Sequence, residues 1–290
     1  MKRTRNTMVG ELSGGIELPG LFTLSNVKSG TTPIIDSDYF EQRINSVLGF
    51  GQLSYKNYAF LDFSGRNDWA SVLPTQNNSF FYPAVSGSLI LSDILGFNNA
   101  KVNYLKLRGG WSQVGSTGAL SEYSTNQTFA LANNGFGTIS ALPNTQWNPD
   151  IRPESTTGIE FGFDLNGFSN RLRFAFTYYD QTSEDLILPL QVEDGSGFTS
   201  SWQNGGEMRN KGVEITLGAT VVKTTDFSFD IDVNFAKNEN EVISLGGADS
   251  YVLGGQWGME LQAIPGQAYG AIVGFPYSRT DAGEIIYENG

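Results

Sequence analysis

Residues 148–188, NPDIRPESTTGIEFGFDLNGFSNRLRFAFTYYDQTSEDLIL, decide the fold. From Gly158 onward Ile159, Phe161, Phe163 and Leu165 occupy every second position, with Glu160, Gly162 and Asp164 between them. After a turn at LNGFSN the alternation resumes with Leu172, Phe174, Phe176 and Tyr178. Successive strand side chains point to opposite faces, so a period of two describes a β-hairpin with one apolar and one polar side. Two environments suit it. A soluble sandwich buries the apolar side against a second sheet, whereas a transmembrane barrel turns it to lipid and the polar side to a watery lumen. The hairpin alone leaves both open.

The same pattern extends along the chain. Strands are expected near 44–54, 58–68, 80–91, 102–114, 154–167, 171–185, 209–222 and 227–237, with another starting at Tyr269. Val213, Ile215, Leu217, Ala219 and Val221 form one apolar row, and Phe227, Phe229, Ile231, Val233 and Phe235 form the next across the turn KTTD. RINSVLGFGQLSYKN alternates poorly, and its faces stay unassigned. Strands of about ten residues or more match a tilted membrane crossing better than an ordinary soluble strand.

The connections discriminate further. YKN, NGFSN and KTTD are short, with SDILGFNNAK of medium length on the same side. NDWASVLPTQNNS, the segment 115–151, LPLQVEDGSGFTSSWQNGGE and NENEVISLGGADSYVLGGQWGMELQAIPGQ are long and alternate with them. Outer-membrane barrels have short turns on the periplasmic rim and long loops outside, whereas Greek-key sandwiches have long connections at either end. Aromatic residues near strand ends, including 80–83 (FFYP), Trp111, Tyr55, Tyr58, Tyr104 and Tyr178, suit an interfacial girdle. The fold expected is therefore all-β: an antiparallel transmembrane β-barrel segment, an open curved sheet of about eight to nine strands from a larger barrel.

Composition narrows the function. The chain has 290 residues, with Lys+Arg 18, Asp+Glu 30 and a net charge of -12, which argues against nucleic-acid binding through a basic surface. Cys 0 and His 0 remove disulfides, thiolate or imidazole metal sites and the usual nucleophilic triads. No run of about 18 apolar residues provides a transmembrane helix. The start MKRTRNTMVGELSGG is basic but lacks the apolar stretch of a signal peptide.

Five blocks in order then carry a family resemblance: FLDFSGRNDWAS (60–71), NYLKLRGGWSQVGS (103–116), NPDIRPESTTGIEFGFD (148–164), NRLRFAFTYYDQTSEDLIL (170–188) and NGGEMRNKGVEITLG (204–218). They resemble successive barrel blocks of SusC/RagA-type TonB-dependent transporters. The resemblance spans nearly the whole chain, from IELPGLFTLSNVKSG to GFPYSRTDAGEIIYENG, the latter similar to a family loop. It implies that residues 1–290 are an internal, partial TonB-dependent receptor barrel domain, without plug, signal peptide or closing C-terminal strand. It also implies an outer-membrane location and import of oligosaccharides or peptides with a SusD-like surface lipoprotein. TonB is engaged through a plug and TonB box outside this chain. Membrane lipid is the remaining partner, and no enzymatic activity and no cofactor are expected. In the family manner Asn148, Pro149, Pro153 and Glu154 lead into one strand, and Asn210, Lys211, Gly212 and Glu214 open another.

Several candidate sites compete with this structural reading. Asp230, Asp232, Asn234 and Glu241 fall at calcium-loop offsets, but Phe235 stands where that loop needs glycine, and the first three share a strand's polar face. Paired carboxylates such as Glu160 with Asp164, or Glu184 with Asp185, are suited to glycoside hydrolysis in principle, yet lumen acids are the simpler reading. Catalytic and metal residues are accordingly expected to be none. Lys106, Arg108 and Arg173 read as lumen ion-pair or plug-contact residues, and the sequons at Asn77 and Asn126 carry little weight. Trp202 and Trp257, in long glycine-rich loops, are the candidates for contact with substrate or partner. The alternatives are a soluble β-sandwich binding module and a structural or adhesin-type outer-membrane barrel.

Overall fold

The computed structural model describes residues 2–11, 15–21, 23, 26, 28, 34–96, 101–133 and 137–275. The wall strands are β1 (Lys2–Glu11), β2 (Ile34–Tyr55), β3 (Ala59–Ala70), β4 (Ser79–Ile90), then, after a short helix α1 (Leu91–Leu95), β5 (Tyr104–Ser116). A long connection carries β6 (Ala130–Asn133), β7 (Thr138–Ala141) and β8 (Thr145–Gln146). The wall resumes with β9 (Glu154–Gly167), β10 (Leu172–Gln191), β11 (Ser200–Lys223) and β12 (Ser228–Leu245). Beyond it lie β13 (Tyr251–Gln256), β14 (Met259–Ala263) and β15 (Ala271–Gly274), a three-stranded sheet of their own.

The wall runs β1-β2-β3-β4-β5-β9-β10-β11-β12, each strand antiparallel to its neighbours, and β8 adds a short parallel pair with β11. Tight turns close one rim. Lys56 and Asn57 both take positive φ (46° and 58°), the pairing that matches a two-residue hairpin turn to right-handed strand twist.

Register turns the separate alternations into one surface. Phe163 lies opposite Leu107 and Phe176, Phe176 opposite Ile215, and Ile215 opposite Phe235. In the other direction Leu107 meets Leu89, and Trp111 meets Val85, which meets Phe63. The apolar rows of β3 to β12 thus share one face. These side chains are open: Phe161 is 52%, Val233 55% and Phe235 54% exposed. Among the described residues no second sheet covers them. So large an apolar face does not suit water, and the soluble-sandwich alternative fails. Along β12 the row from Phe227 to Phe235 spans about 27 Å, or roughly 21 Å of height at a barrel tilt, close to the apolar band of an outer-membrane barrel.

Register also settles β2. Gly49, Gly51 and Leu53 lie on the outer face with Phe63 and Leu61, leaving Leu48 and Phe50 inside, 60% and 83% exposed. Alternation failed there because glycines fill two outer positions. The Phe63 ring covers one of them, lying 2.5 Å from where a Gly51 Cβ would sit.

Three expectations need correction, and one strand was not assigned from the sequence. The N-terminal basic stretch forms β1, paired with the part of β2 above the apolar row (Lys2 opposite Arg43). LPLQVEDGSGFTSSWQNGGE is mainly strand, because β10 runs to Gln191 and β11 starts at Ser200. Trp202 therefore sits in a strand, and 210–214 lie in the middle of β11 rather than opening it. No new wall strand starts at Tyr269; β15 begins at Ala271 and pairs with β14. In the aromatic girdle, Tyr55, Phe81, Trp111 and Tyr178 lie on the outer face, whereas Phe80, Tyr82 and Tyr104 fall on the inner register.

Candidate functional site

The polar positions of the same strands meet on the inner face. Arg108 of β5 pairs with Glu160 and lies 3.7 Å from Asp164, so the two carboxylates read from the sequence are held by one guanidinium. Arg173 pairs with Asp232 at 3.1 Å and approaches Asp230 at 4.0 Å. Asp230 also accepts from Thr220 and Ser228. The calcium-like spacing of Asp230, Asp232 and Asn234 is thus a strand's period of two, answered by Arg173 and by Thr216, which donates to Asn234 at 2.9 Å. Glu241 falls on the opposite, outer register beside Arg209. Lys106 shares the inner register, opposite Asp164.

Three inner glycines let long side chains span a strand. Arg108 crosses Gly162 to donate to Thr177, Arg173 crosses Gly218 to Asp232, and Tyr179 crosses Gly212 to donate to Asn238 at 3.0 Å. Neighbouring atoms come close to the Gly212 backbone: a Cβ there would lie 2.5 Å from the Lys237 carbonyl oxygen and 2.6 Å from the Tyr179 hydroxyl. Tyr179 and its amide partners were not singled out from the sequence. Only the register, which puts Tyr179, Gly212 and Asn238 in one row, reveals them.

Two open hollows follow on this face. One of about 550 Å³ includes Phe50, Gln52, Asp62, Ser86, Ser112 and Gln181. Its neighbour, about 490 Å³, includes Arg108, Glu160, Tyr179, Asn210, Glu214 and Asn238. Amides, hydroxyls and both charge signs make a wet, hydrogen-bonding wall, as a barrel lumen requires.

Above the wall, on the long-loop rim, the connections fold onto each other. Val72 and Leu73 after β3, Leu120 after β5, Ile151 before β9 and Ile187 of β10 are buried together, with Trp202 packed against them. The NPDIRPE segment ties this cap down. Asn148 donates to the Trp202 carbonyl oxygen at 2.9 Å, and Asn77 donates to the carbonyls of Asp150 and Ile151. Asn204 accepts from the Arg152 backbone N–H and donates to the Arg152 and Asp185 carbonyls. Glu154 accepts from the Ile187 backbone N–H at 2.9 Å. Asp185 takes φ 56° at the β10 bulge and pairs with Arg152. Asn148, Pro149, Pro153 and Glu154 lead into β9, which begins at Glu154 as expected.

The two tryptophan candidates diverge. Trp202 is half-buried in the cap, while Trp257 sits at the β13–β14 turn, 90% exposed with φ 59°. The terminal segment from 276 onward, where the loop-like GFPYSRTDAGEIIYENG continues, lies outside the described residues.

Known proteins share this arrangement. The family profile described as TonB dependent receptor-like, beta-barrel matches residues 7–285. TonB-dependent receptor P26 of Formosa agariphila is 31% identical over 235 residues, 79% of this chain and 23% of that protein. TonB-dependent receptor SusC of Bacteroides thetaiotaomicron is 28% identical over 224 residues, 72% of this chain and 22% of that protein. The chain spans about a quarter of the length of the curated relatives it matches. A structure of the RagAB peptide transporter superposes with a TM-score of 0.76 at 24% identity, over 86% of this chain and 28% of that one. The RagAB peptide importer in its open-open state gives 0.75 at 23% identity, over 94% and 32%. At those identities the likeness is one of fold. With an outer apolar belt, an inner polar wall and these relatives, the chain belongs to the TonB-dependent receptor-like β-barrel family of the bacterial outer membrane.

Proposed function

We infer that this chain supplies part of the wall of a TonB-dependent importer that takes up oligosaccharides or peptides together with a SusD-like surface lipoprotein. One observation carries the reading: a continuous inner face of ion pairs, amides and hydroxyls runs from β2 to β12 beneath a folded loop cap. Such a wall is suited to passing a polar solute rather than to holding a reactive centre. The RagAB peptide transporter among the structures of like fold supports the peptide class, and SusC among the relatives supports an importer of the SusC type. Coupling to TonB is assigned to the whole transporter. Trp257, exposed at a loop tip, is the contact residue for lipoprotein or solute, whereas Trp202, packed against the buried cluster of the loop cap, supports that cap. The test is uptake of labelled oligosaccharide and peptide libraries by cells with and without the intact gene, each with and without TonB. Uptake that needs both the gene and TonB supports the inference; equal uptake in all four strains refutes it.

A further inference from the structure

Among the described residues, charge directly adjoins the outer apolar rows in one sector; on β1 and β2 Lys2, Glu41 and Arg43 share the outward register and pair with one another, but Asn45 separates them from the last apolar residue, Val47. Past the apolar rows the next outward residues on β3, β4, β5 and β9 are Asn67, Ser79, Gln113 and Thr157, all uncharged. On β10 to β12 the rows end at Tyr178, Val213 and Phe235, and there Asp180, Lys211, Arg209, Lys237, Glu239 and Glu241 follow on the same outward register. These strands rise from the short-turn rim toward the long loops, so the sector lies at the headgroup layer of the outer leaflet.

Its charges are ordered. Arg209 pairs with Asp180 and is neutralised. Lys237 and Lys211 share a single carboxylate, Glu239, at 2.9 and 3.5 Å, which leaves one positive charge beside the belt. Glu241, opposite Arg209, stands farther from the belt. Both lysines are open, with side chains 63% and 46% exposed. Where residues 266–268 run beside β12, they close a hollow of about 200 Å³ with Arg209, Lys211, Glu239 and Glu241. Positive next to the acyl chains and negative above is the mirror of a phosphorylated headgroup, whose phosphate lies deeper than its ammonium or bound divalent cation.

We propose that this sector binds one phosphorylated lipid headgroup of the outer leaflet. The Lys211 and Lys237 ammoniums hold its phosphate, and Glu239 and Glu241 face its cationic part. A phospholipid amine and a glycolipid phosphate carrying a divalent cation both present that chemistry.

The whole transporter, in nanodiscs of phosphatidylethanolamine with or without lipopolysaccharide, is extracted into detergent, and retained phosphorylated lipid is counted by native mass spectrometry. Replacing Lys211 and Lys237 by Gln lowers retention about fivefold for each lysine, or roughly 25-fold together, while Lys223→Gln at the short-turn rim leaves it unchanged. Loss on chelation of divalent cations identifies the glycolipid; survival identifies the amine headgroup. Equal retention in the double variant, or equal loss in the Lys223 control, overturns the site. Should the Gln pair fail to assemble, Lys211→Arg with Lys237→Arg retains the lipid and high salt strips it from the parent protein; retention indifferent to salt overturns the proposal equally.

Discussion

Arg173 reaches Asp232 across an intervening strand, Nη2 to Oδ1 at 3.1 Å, because the residue between them in register is Gly218. A Cβ on Gly218 would lie 2.4 Å from Asp232 Oδ1 and 2.9 Å from Arg173 Nε, both at the ends of side chains able to swing aside. At Gly212 and Gly162 the nearest atom is instead a backbone carbonyl oxygen, of Lys237 and Phe176, at 2.5 and 2.6 Å.

Glycine-to-alanine changes therefore differ in cost. Gly218→Ala breaks a solvent-exposed pair and costs below about 1 kcal/mol. Gly212→Ala and Gly162→Ala force backbone to move and cost roughly 1–3 kcal/mol. Urea titration of the refolded transporter checks the order; Gly218→Ala as damaging as Gly212→Ala contradicts it.

Neighbouring positions on β11 separate the two faces. Ile215 lies between Phe176 and Phe235 on the outer face, and Thr216 between Ala175 and Asn234 on the inner. Ile215→Arg costs about 2–4 kcal/mol at mid-bilayer and lowers insertion, whereas Thr216→Arg meets water and costs little. The fraction of heat-modifiable protein in membranes reads both.

Asn204 is the tie between the NPDIRPE segment and the β10 bulge, through three hydrogen bonds at 2.8, 2.8 and 2.9 Å. Asn204→Ala leaves two backbone carbonyls and an N–H without that partner, a local loss of about 1–3 kcal/mol. Limited proteolysis then cleaves the cap between 117 and 153 faster while the wall stays resistant. Unchanged cleavage contradicts the tie.

The tryptophans separate contact from support. Trp257→Ala lowers lipoprotein docking or uptake and leaves cap proteolysis unchanged, because the side chain is 90% exposed. Trp202→Ala empties a partly buried site against Ile151 and Ile187 and loosens the cap by roughly 3 kcal/mol. Equal docking and uptake in the Trp257 variant remove it as a contact residue.

Where one face is uninterrupted, as from Phe174 to Tyr178 or Phe229 to Phe235, the strand and its sidedness were legible in the sequence. On β2, glycines at 49 and 51 erase the alternation, and the sidedness emerges only once Leu53 is paired with Leu61. β1 and the upper parts of β10 and β11 stand beyond the apolar belt, where neither face must be apolar, so their strand character left no period of two. The lumen character of Arg108 and Arg173 was readable from their polar positions. Their actual partners, two of them across a glycine, depend on register and were not.

Sidedness is the central claim, and the absence of native cysteine allows a direct measurement. In the whole transporter, any other cysteines being replaced, single cysteines at Ile231, Asp232, Val233, Asn234 and Phe235 are spin-labelled in bilayers and probed with lipid-soluble oxygen and a water-soluble nickel complex. The account predicts alternation along β12: oxygen reaches 231, 233 and 235, and the nickel complex favours 232 and 234. Uniform accessibility, or alternation of the opposite sense, contradicts an outer apolar belt around a polar lumen wall.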